Sequence, residues 1–130
     1  VGERWVEVLP VTADDALLAR GRQRYEITCS PCHGLSGTGD GPVSRRAETL
    51  AEGTWAPPSS LHTDQSRGLA NGQIFETISR GVRNMPSYGA QLGVHDRWAI
   101  VAHVRALQRG QGAAPAVAVA EGENVRQGSR

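Results

Sequence analysis

Apolar residues recur at helical spacing in three stretches of the chain. In the first stretch, Leu17, Gly21, Tyr25 and Thr28 fall on one face of a helix that we predict to begin at Thr12, a residue type that caps helix N-termini. Gly21 is unusual there, because glycine inside a helix costs about 1 kcal/mol relative to alanine. The pattern therefore predicts that another helix packs closely against Gly21.

The second and third stretches predict two further helices. One runs from Asn71, a favourable N-cap residue, to Arg80, and Gly81 ends it. The other runs from about Asp96 to Arg109. The faces that these helices are expected to bury are formed by Ile74, Phe75 and Ile78, and by Ile100, His103, Val104 and Leu107, with Trp98 and Val101 beside them.

The remaining segments are rich in glycine and proline. Residues 1–11 predict an extended arm that lies on the domain, and residues 34–60 predict a long loop. Residues 111–130 lack bulky side chains, and we predict a disordered C-terminal tail there. The chain is therefore expected to form a single all-α domain over residues 12–110, with three to five helices joined by long loops.

Composition and charge restrict the possible functions. The 130 residues include only six aromatic ones, so side chains alone would make a thin core. The formal charge of +1 argues against a nucleic-acid partner, and no apolar run approaches the roughly 20 residues of a membrane-spanning helix. Charge is unevenly spread, because residues 71–109 contain five arginines and two acids.

The two cysteines of the chain stand in the segment Cys29-Ser30-Pro31-Cys32-His33. C-x-x-C-H is the attachment motif of c-type haem. Its spacing lets both thiols add to the two vinyl groups of one porphyrin, and the histidine that follows can ligate the iron. The motif predicts one covalent haem c, with His33 as the proximal axial ligand.

Other interpretations of these cysteines fit less well. A structural zinc site normally needs four Cys or His ligands, and the sequence offers no second pair at suitable spacing. A thioredoxin-like dithiol needs strands that alternate with helices. A plain disulfide between Cys29 and Cys32, or chance spacing, is a further alternative.

The ligand at the sixth coordination position of the iron distinguishes an electron carrier from a haem enzyme or gas sensor. Met85, the one methionine, lies in a loop beside Pro86 and is the candidate distal ligand. His62, His95 and His103 are its rivals. A thioether ligand would close the iron to small molecules and favour electron transfer, whereas a labile sixth ligand would favour a haem enzyme or gas sensor.

Residues 12–109 resemble a mono-haem class I cytochrome c. Gly21 and Tyr25 on the first helix, and Ile100 on the last, stand where that family has a glycine, an aromatic and an aliphatic residue. His103 departs from the pattern, because tyrosine is more usual there. The resemblance implies the class I cytochrome c fold, wrapped around one haem c. It also implies that the carbonyl of Pro42 accepts a hydrogen bond from Nδ1 of His33.

Four short sequence segments point to a particular group of cytochromes within this family. They are similar to the small mono-haem cytochrome subunit of alternative complex III, a bacterial quinol-oxidising respiratory complex, and related cytochromes of haem–copper oxidases share them. The strings are GTGDGP, Pro57-Pro58-Ser59, Met85-Pro86-Ser87-Tyr88 and DRWAIVAHVRALQ. The resemblance implies an electron carrier, not itself an enzyme, that serves a membrane respiratory complex. A free or oxidase-linked periplasmic cytochrome is the alternative.

Further expectations concern the haem pocket and the partner. Trp55 or Tyr88 is a candidate hydrogen-bond donor to a haem propionate, and Arg45 and Arg46 are candidates to neutralise one. The expected pocket walls are Leu35, Leu61, Ile74, Phe75, Ile78, Tyr88 and Leu92.

An acidic redox partner is expected to dock near Arg80 and Arg83, which flank the loop of Met85. Since thioether attachment takes place outside the cytoplasm, we expect a periplasmic protein whose precursor has an export signal. The chain shows no cysteine for a lipid anchor at its start.

Overall fold

The computed structural model describes residues 5–51 and 58–112. Those residues form six α-helices, which are α1 (Asp15–Thr28), α2 (Ser30–His33), α3 (Pro42–Ala51), α4 (Asp64–Arg67), α5 (Asn71–Arg80) and α6 (Val94–Gly112). Within these ranges, β-structure is limited to an isolated bridge between Val82 and Met85. The all-α class is confirmed. The helix count exceeds three to five because α2 and α4 are single turns of four residues each.

Helix α1 begins later than its sequence pattern indicates. Asp14, and not Thr12, is the N-cap, and its carboxylate accepts a hydrogen bond from the backbone N–H of Leu17 at 2.8 Å. A carboxylate also interacts favourably with the positive end of the helix dipole, which favours Asp14 as the cap. The predicted face is confirmed, because Leu17, Gly21 and Tyr25 are buried.

Helices α1 and α6 pack at the distance of backbone contact. A Cβ atom on Gly21 would lie 2.0 Å from the carbonyl oxygen of Ala99, a residue of α6 that is wholly buried. The predicted close approach at Gly21 is therefore confirmed. At the edge of this interface, Arg20 donates two hydrogen bonds to the carboxylate of Asp96, at 2.8 and 2.9 Å. The Arg20 hydrogen bond lowers the pKa of Asp96.

Helices α5 and α6 join through an aromatic pair. The rings of Phe75 and Trp98 stack with their centroids 4.1 Å apart, and the guanidinium of Arg97 lies over the Phe75 ring. The cap of α5 is Ala70 and not Asn71, since the Gln73 side chain accepts the hydrogen bond of the Ala70 N–H. The core residues from the two helices are Ile74, Ile78, Trp98, Ile100, Val101 and Val104.

Helix α3 lies inside the segment for which the sequence predicts a loop, so that prediction is wrong over residues 42–51. Proline is favoured at the first position of a helix, where its missing N–H costs nothing and its φ angle is already suitable. Pro42 occupies that position, and the residues after it include good helix formers such as arginine, alanine, glutamate and leucine. The glycines before Pro42 and the prolines after residue 55 conceal this short helix in the sequence.

The described part of the N-terminal arm, residues 5–11, lies on α5 and on the core. The carbonyl of Val6 accepts a hydrogen bond from the Gly72 N–H at 2.7 Å, and that of Glu7 accepts one from the Asn71 side chain at 2.6 Å. Leu9 packs against the buried core. Trp55 and residues 113–130, where the sequence predicts a tail, lie outside the described residues.

Across residues 5–51 and 58–112, no helix has the combination of length and apolar character that crossing a bilayer requires.

Replacing Gly21 with alanine tests the contact between α1 and α6. We expect Gly21→Ala to lower the free energy of unfolding of the haem-loaded protein by about 1–3 kcal/mol, because the new methyl group overlaps the Ala99 carbonyl. Denaturant titration followed by circular dichroism measures this change.

Gly110→Ala is the matched control, because Gly110 lies in α6 with no atom near the position of its missing Cβ. It should stabilise the protein by about 0.5–1 kcal/mol through helix propensity. Equal stability gains in the two variants would contradict the close contact at Gly21.

Candidate functional site

An apolar cavity lies at the centre of the fold, between α1, α5, α6 and the loop that contains Met85. The cavity and its mouth together span about 570 Å³. Its walls are formed by Tyr25, Cys29, His33, Leu61, Ser66, Leu69, Ile74, Thr77, Ile78, Met85, Ile100, Val104 and Gln108. Protein interiors are normally close-packed, so an apolar space with these buried walls is suited to a bound group that would complete the core.

The C-x-x-C-H segment is placed at the end of α1. Cys29 is the C-cap of that helix, and α2 turns the chain so that His33 donates its backbone N–H to the carbonyl of Cys29 at 2.9 Å. Cys29 and His33 both line the cavity, whereas Cys32 is half-buried beside them. Both cysteines are free, so the disulfide alternative is not realised in this structure.

Burial controls the chemistry of these groups. It raises the pKa of the Cys29 thiol to about 12, and the nearby Cys32 contributes in the same direction. Burial also lowers the pKa of His33. This shift favours the neutral imidazole, which is the form that ligates metal ions.

The predicted hydrogen bond between His33 and Pro42 is not formed. Nδ1 of His33 is buried and has no hydrogen-bond partner among the described residues. Pro42 is the first residue of α3, so its carbonyl is directed along that helix. The neighbouring residue makes the contact with the motif instead, since the Gly41 N–H donates to the Cys32 carbonyl at 3.1 Å.

The loop that follows α5 holds Met85 at the cavity wall. Val82 and Met85 exchange two backbone hydrogen bonds, of 3.0 and 2.8 Å. Gly81 permits the turn because its φ angle is +79° and because a Cβ atom there would lie 2.5 Å from the Met85 carbonyl oxygen. After Met85 the chain returns to α5, where the Tyr88 N–H donates to the carbonyl of Ile78 at 2.9 Å. Met85 is thus fixed on both sides.

The three other histidines do not line the cavity. The Nε2 of His62 lies 2.7 Å from the carbonyl oxygen of Ser36, and His95 is exposed. His103 packs against the ring of Tyr25, with centroids 4.9 Å apart. Of the described histidine and methionine side chains, those of His33 and Met85 line the cavity.

The predicted pocket walls are only partly those of the structure. Leu61, Ile74 and Ile78 line the cavity, while Phe75 and Leu92 belong to the core outside it. Leu35 is wrong as a wall residue, because it is 67% exposed.

The described residues that are predicted to contact a haem propionate do not line the cavity. Tyr88 packs against the core, and burial raises its pKa. Arg45 and Arg46 are exposed on α3.

Gln108 is a wall residue that the sequence pattern did not indicate. Its side chain is 5% exposed, and its Nε2 donates to the carbonyl of Leu61, across the cavity wall, at 2.8 Å. A polar residue near the end of α6 has the appearance of a solvated one. The available signal was its position one helical turn after Val104, on the face that Ile100 also occupies.

The donor set fits a haem c better than a metal ion held by protein side chains alone. In the described part of the chain, no three His, Cys, Asp or Glu side chains gather into a metal site. Instead, Cys29, His33 and Met85 line an apolar cavity, and the free thiol of Cys32 lies beside it. These residues fit a porphyrin, for which Cys29 and Cys32 would hold the vinyl groups and His33 would ligate the iron.

Comparisons with known proteins agree with this geometry. Residues 16–104 match the family model described as cytochrome c oxidase, cbb3-type, subunit III. The cytochrome bc1 complex cytochrome c subunit of Corynebacterium diphtheriae is 25% identical over 96 residues, which cover 73% of this chain and 29% of that protein. The chain therefore spans less than a third of the length of this curated relative.

A solved structure has a similar fold. A chain of the reducing HAO-like protein complex of Kuenenia stuttgartiensis superposes with a TM-score of 0.60 at 25% identity, covering 76% of this chain and 47% of that one. Because the family match extends over most of the 130 residues, the protein belongs to the family of cytochrome c oxidase, cbb3-type, subunit III, and is a class I cytochrome c domain that binds haem c covalently.

Proposed function

We propose that this chain carries single electrons on a haem c whose iron is ligated by His33 and Met85. The observation that carries the proposal is that these two side chains line one apolar cavity together with Cys29. His/Met coordination occurs in cytochromes c and raises the reduction potential. The bound haem would supply the one-electron chemistry, as its iron alternates between the ferric and ferrous states.

The residues of the chain would keep this chemistry restricted to electrons. The walls contributed by Ile78, Ile100 and Val104 exclude water, and a water-poor surrounding disfavours the extra positive charge of the ferric form. The two backbone hydrogen bonds between Val82 and Met85 hold the thioether in place. A fixed sixth ligand leaves no open position for a substrate. We therefore propose a carrier and not a haem enzyme or gas sensor.

We further propose that the chain is a subunit or domain of a membrane respiratory complex, on the periplasmic side. Two similarities support this setting. The matching family is described as an oxidase subunit, and the Corynebacterium relative is named as a subunit of a bc1 complex. The short strings shared with the small cytochrome of alternative complex III favour that complex, with electrons passing from quinol to a periplasmic acceptor or a terminal oxidase. The family description favours an oxidase-linked cytochrome as the second candidate.

Residues 71–109 contain five arginines, but only some of them are free to form a docking surface. Arg97 and Arg105 are half-buried and donate hydrogen bonds within the protein. Arg80 is ion-paired with Glu76 at 2.8 Å. Arg83, which lies in the turn before Met85, is exposed and has a positive φ angle of 49°. We propose that an acidic partner patch docks at Arg83, with a smaller contribution from Arg80.

Removing the thioether tests the proposed sixth ligand. We expect Met85→Ala to abolish the weak far-red iron–sulfur absorption band of the ferric protein. Cyanide binding should accelerate by a factor on the order of ten or more, because the sixth position becomes open. Optical spectroscopy and stopped-flow cyanide binding measure both effects.

Val82→Ala is the control, because Val82 holds the same turn through backbone hydrogen bonds that the substitution retains. It should keep the band and the slow cyanide binding. A wild-type protein that binds cyanide as fast as Met85→Ala would refute His/Met ligation and support the sensor or enzyme alternative.

A small anionic oxidant tests the positive field at Arg83. We expect Arg83→Gln to slow the oxidation of the reduced protein by ferricyanide at low salt by roughly threefold, and to reduce its dependence on ionic strength. Arg80→Gln should have a smaller effect, because Glu76 already offsets its charge.

Arg22→Gln provides a control of equal charge, since Arg22 forms an i,i+4 pair with Glu26 on α1. Its rate should equal that of the wild type. If the wild-type rate does not change between low and high salt, the docking proposal is wrong.

Isolation of the native assembly tests the partner. We expect an affinity-tagged form of the full protein, extracted from its own membranes, to bring down quinol-oxidising subunits. Haem–copper oxidase subunits in their place would favour the oxidase-linked candidate. Recovery of the cytochrome alone after mild cross-linking would contradict membership of a membrane complex. Mass spectrometry identifies the recovered subunits.

A further inference from the structure

Arg105 of α6 is the centre of a hydrogen-bond network that the electron-carrier proposal does not use. Its Nε donates to the side-chain oxygen of Asn71 at 2.7 Å, and one terminal nitrogen donates to the side-chain oxygen of Gln108 at 2.9 Å. The other terminal nitrogen donates to the carbonyl of Leu69. A weaker contact of 3.4 Å reaches the carbonyl of Arg67. The guanidinium is therefore held rigidly, through all three of its nitrogens.

Two of these acceptors belong to residues of the cavity wall. Leu69 and Gln108 both line the cavity. Gln108 also donates to the carbonyl of Leu61, which is a third wall residue. Arg105 itself is not a wall residue, so its charge lies one layer of side chains behind the wall.

The charge of Arg105 has no bonded counter-ion. Across the described ranges, no carboxylate oxygen lies within ion-pair distance of its guanidinium, and all its hydrogen-bond acceptors are neutral. Partial burial lowers the pKa of Arg105, and the charge of Glu7 acts on the guanidinium only through space. Arginine nevertheless stays protonated in proteins. The network thus keeps a partly desolvated positive charge, whereas Arg20, Arg22 and Arg80 each have an acidic partner.

We propose that Arg105 raises the reduction potential of the bound haem through this fixed charge. The inference rests on the proposed one-electron function. When a redox partner delivers one electron, the net charge inside the cavity falls by one unit, and no bond or proton is exchanged with the chain. A positive charge behind the wall stabilises the more negative, reduced state, and it does so more strongly where the medium between them contains little water. Arg105 acts through the wall and does not touch the haem.

Two substitutions at this position separate charge from packing. We expect Arg105→Gln to lower the equilibrium constant for one-electron reduction by about three- to tenfold, and a tenfold change corresponds to about 59 mV. Arg105→Lys keeps the charge but loses the forked hydrogen bonds. It should stay within about twofold of the wild-type constant while its denaturation midpoint falls. Potentiometric titration of the haem-loaded protein measures the constant.

Arg109→Gln is the matched charge control, because Arg109 lies one turn further along α6 and is exposed. It removes the same charge and should leave the potential unchanged. Asn71→Asp keeps Arg105 and gives it a bonded carboxylate, so we expect its potential to fall. Both Asn71 variants lose the hydrogen bond that the Asn71 amide donates to the Glu7 carbonyl. Asn71→Ala adds no charge, so its reduction potential should equal that of the wild type.

The outcomes are distinguishable. Equal potentials in the wild type, Arg105→Gln and Asn71→Asp would overturn the inference while the proposed carrier function stood. Equal falls in Arg105→Gln and Arg105→Lys would also overturn it, because a loosened wall and not a lost charge would then be the cause. The absence of a reversible one-electron couple in the wild type would overturn the proposed function, and with it the role of Arg105.

Discussion

The contact between Gly21 and Ala99 determines where the rest of the site lies. With no side chain at Gly21, α1 can approach α6 until its backbone meets the Ala99 carbonyl. From that point α1 continues through Tyr25 to Cys29, and α6 continues through Ile100 to Gln108. These residues form two walls of the cavity. One missing methyl group therefore sets the spacing between the attachment segment and the opposite wall.

This arrangement leaves the interior incomplete without a cofactor. Buried residues surround the cavity but do not fill it, and protein interiors are otherwise as dense as organic crystals. An unfilled apolar space exposes its lining to water or leaves it without contacts, and either case costs free energy. The low aromatic content of the chain follows from the same fact, because a covalently bound porphyrin provides the missing apolar volume. Cofactor and core are one structural unit in this protein.

Helices α1, α5 and α6 and the haem attachment motif were predictable from the sequence because each depends on local features. A helical stripe such as Ile74 and Ile78 marks a buried face, and C-x-x-C-H has few competing meanings. Met85 became a candidate ligand because it is the one methionine and lies in a loop, and the structure places it in the cavity wall. These signals need no knowledge of how distant segments meet.

The parts that sequence reasoning missed depend on distant segments. Helix α3 was hidden because its ten residues lie between glycine-rich and proline-rich runs, which dominate a local pattern. The absence of a hydrogen bond from Nδ1 of His33 to the Pro42 carbonyl follows from that helix, since this carbonyl belongs to α3. Arg105 and Gln108 look like solvated residues at the end of α6. Apart from the bond between Arg105 and Gln108, their acceptors come from residues 61–71, which are 34 to 47 positions away along the chain.

Charge is distributed in the molecule according to burial. Arg22 of α1 and Arg80 of α5 are exposed and pair with acids one turn away, which holds their long side chains at the surface and contributes little free energy. The half-buried Arg105 instead uses neutral acceptors and keeps its field directed at the cavity. Under the proposed function, the surface would guide an acidic partner at Arg83, while the separate, half-buried charge of Arg105 would adjust the redox equilibrium.

If the haem completes the core, the chain should not fold cooperatively without it. Unfolding of the haem-free chain tests this expectation. The haem-free protein can be produced by replacing both Cys29 and Cys32 with serine in a host that does not attach haem. We expect its near-ultraviolet circular dichroism to be weak and its denaturant transition to be broad, whereas the haem-loaded wild type unfolds in one cooperative step. A cooperative transition of the haem-free chain at the denaturant concentration of the loaded protein would contradict the account.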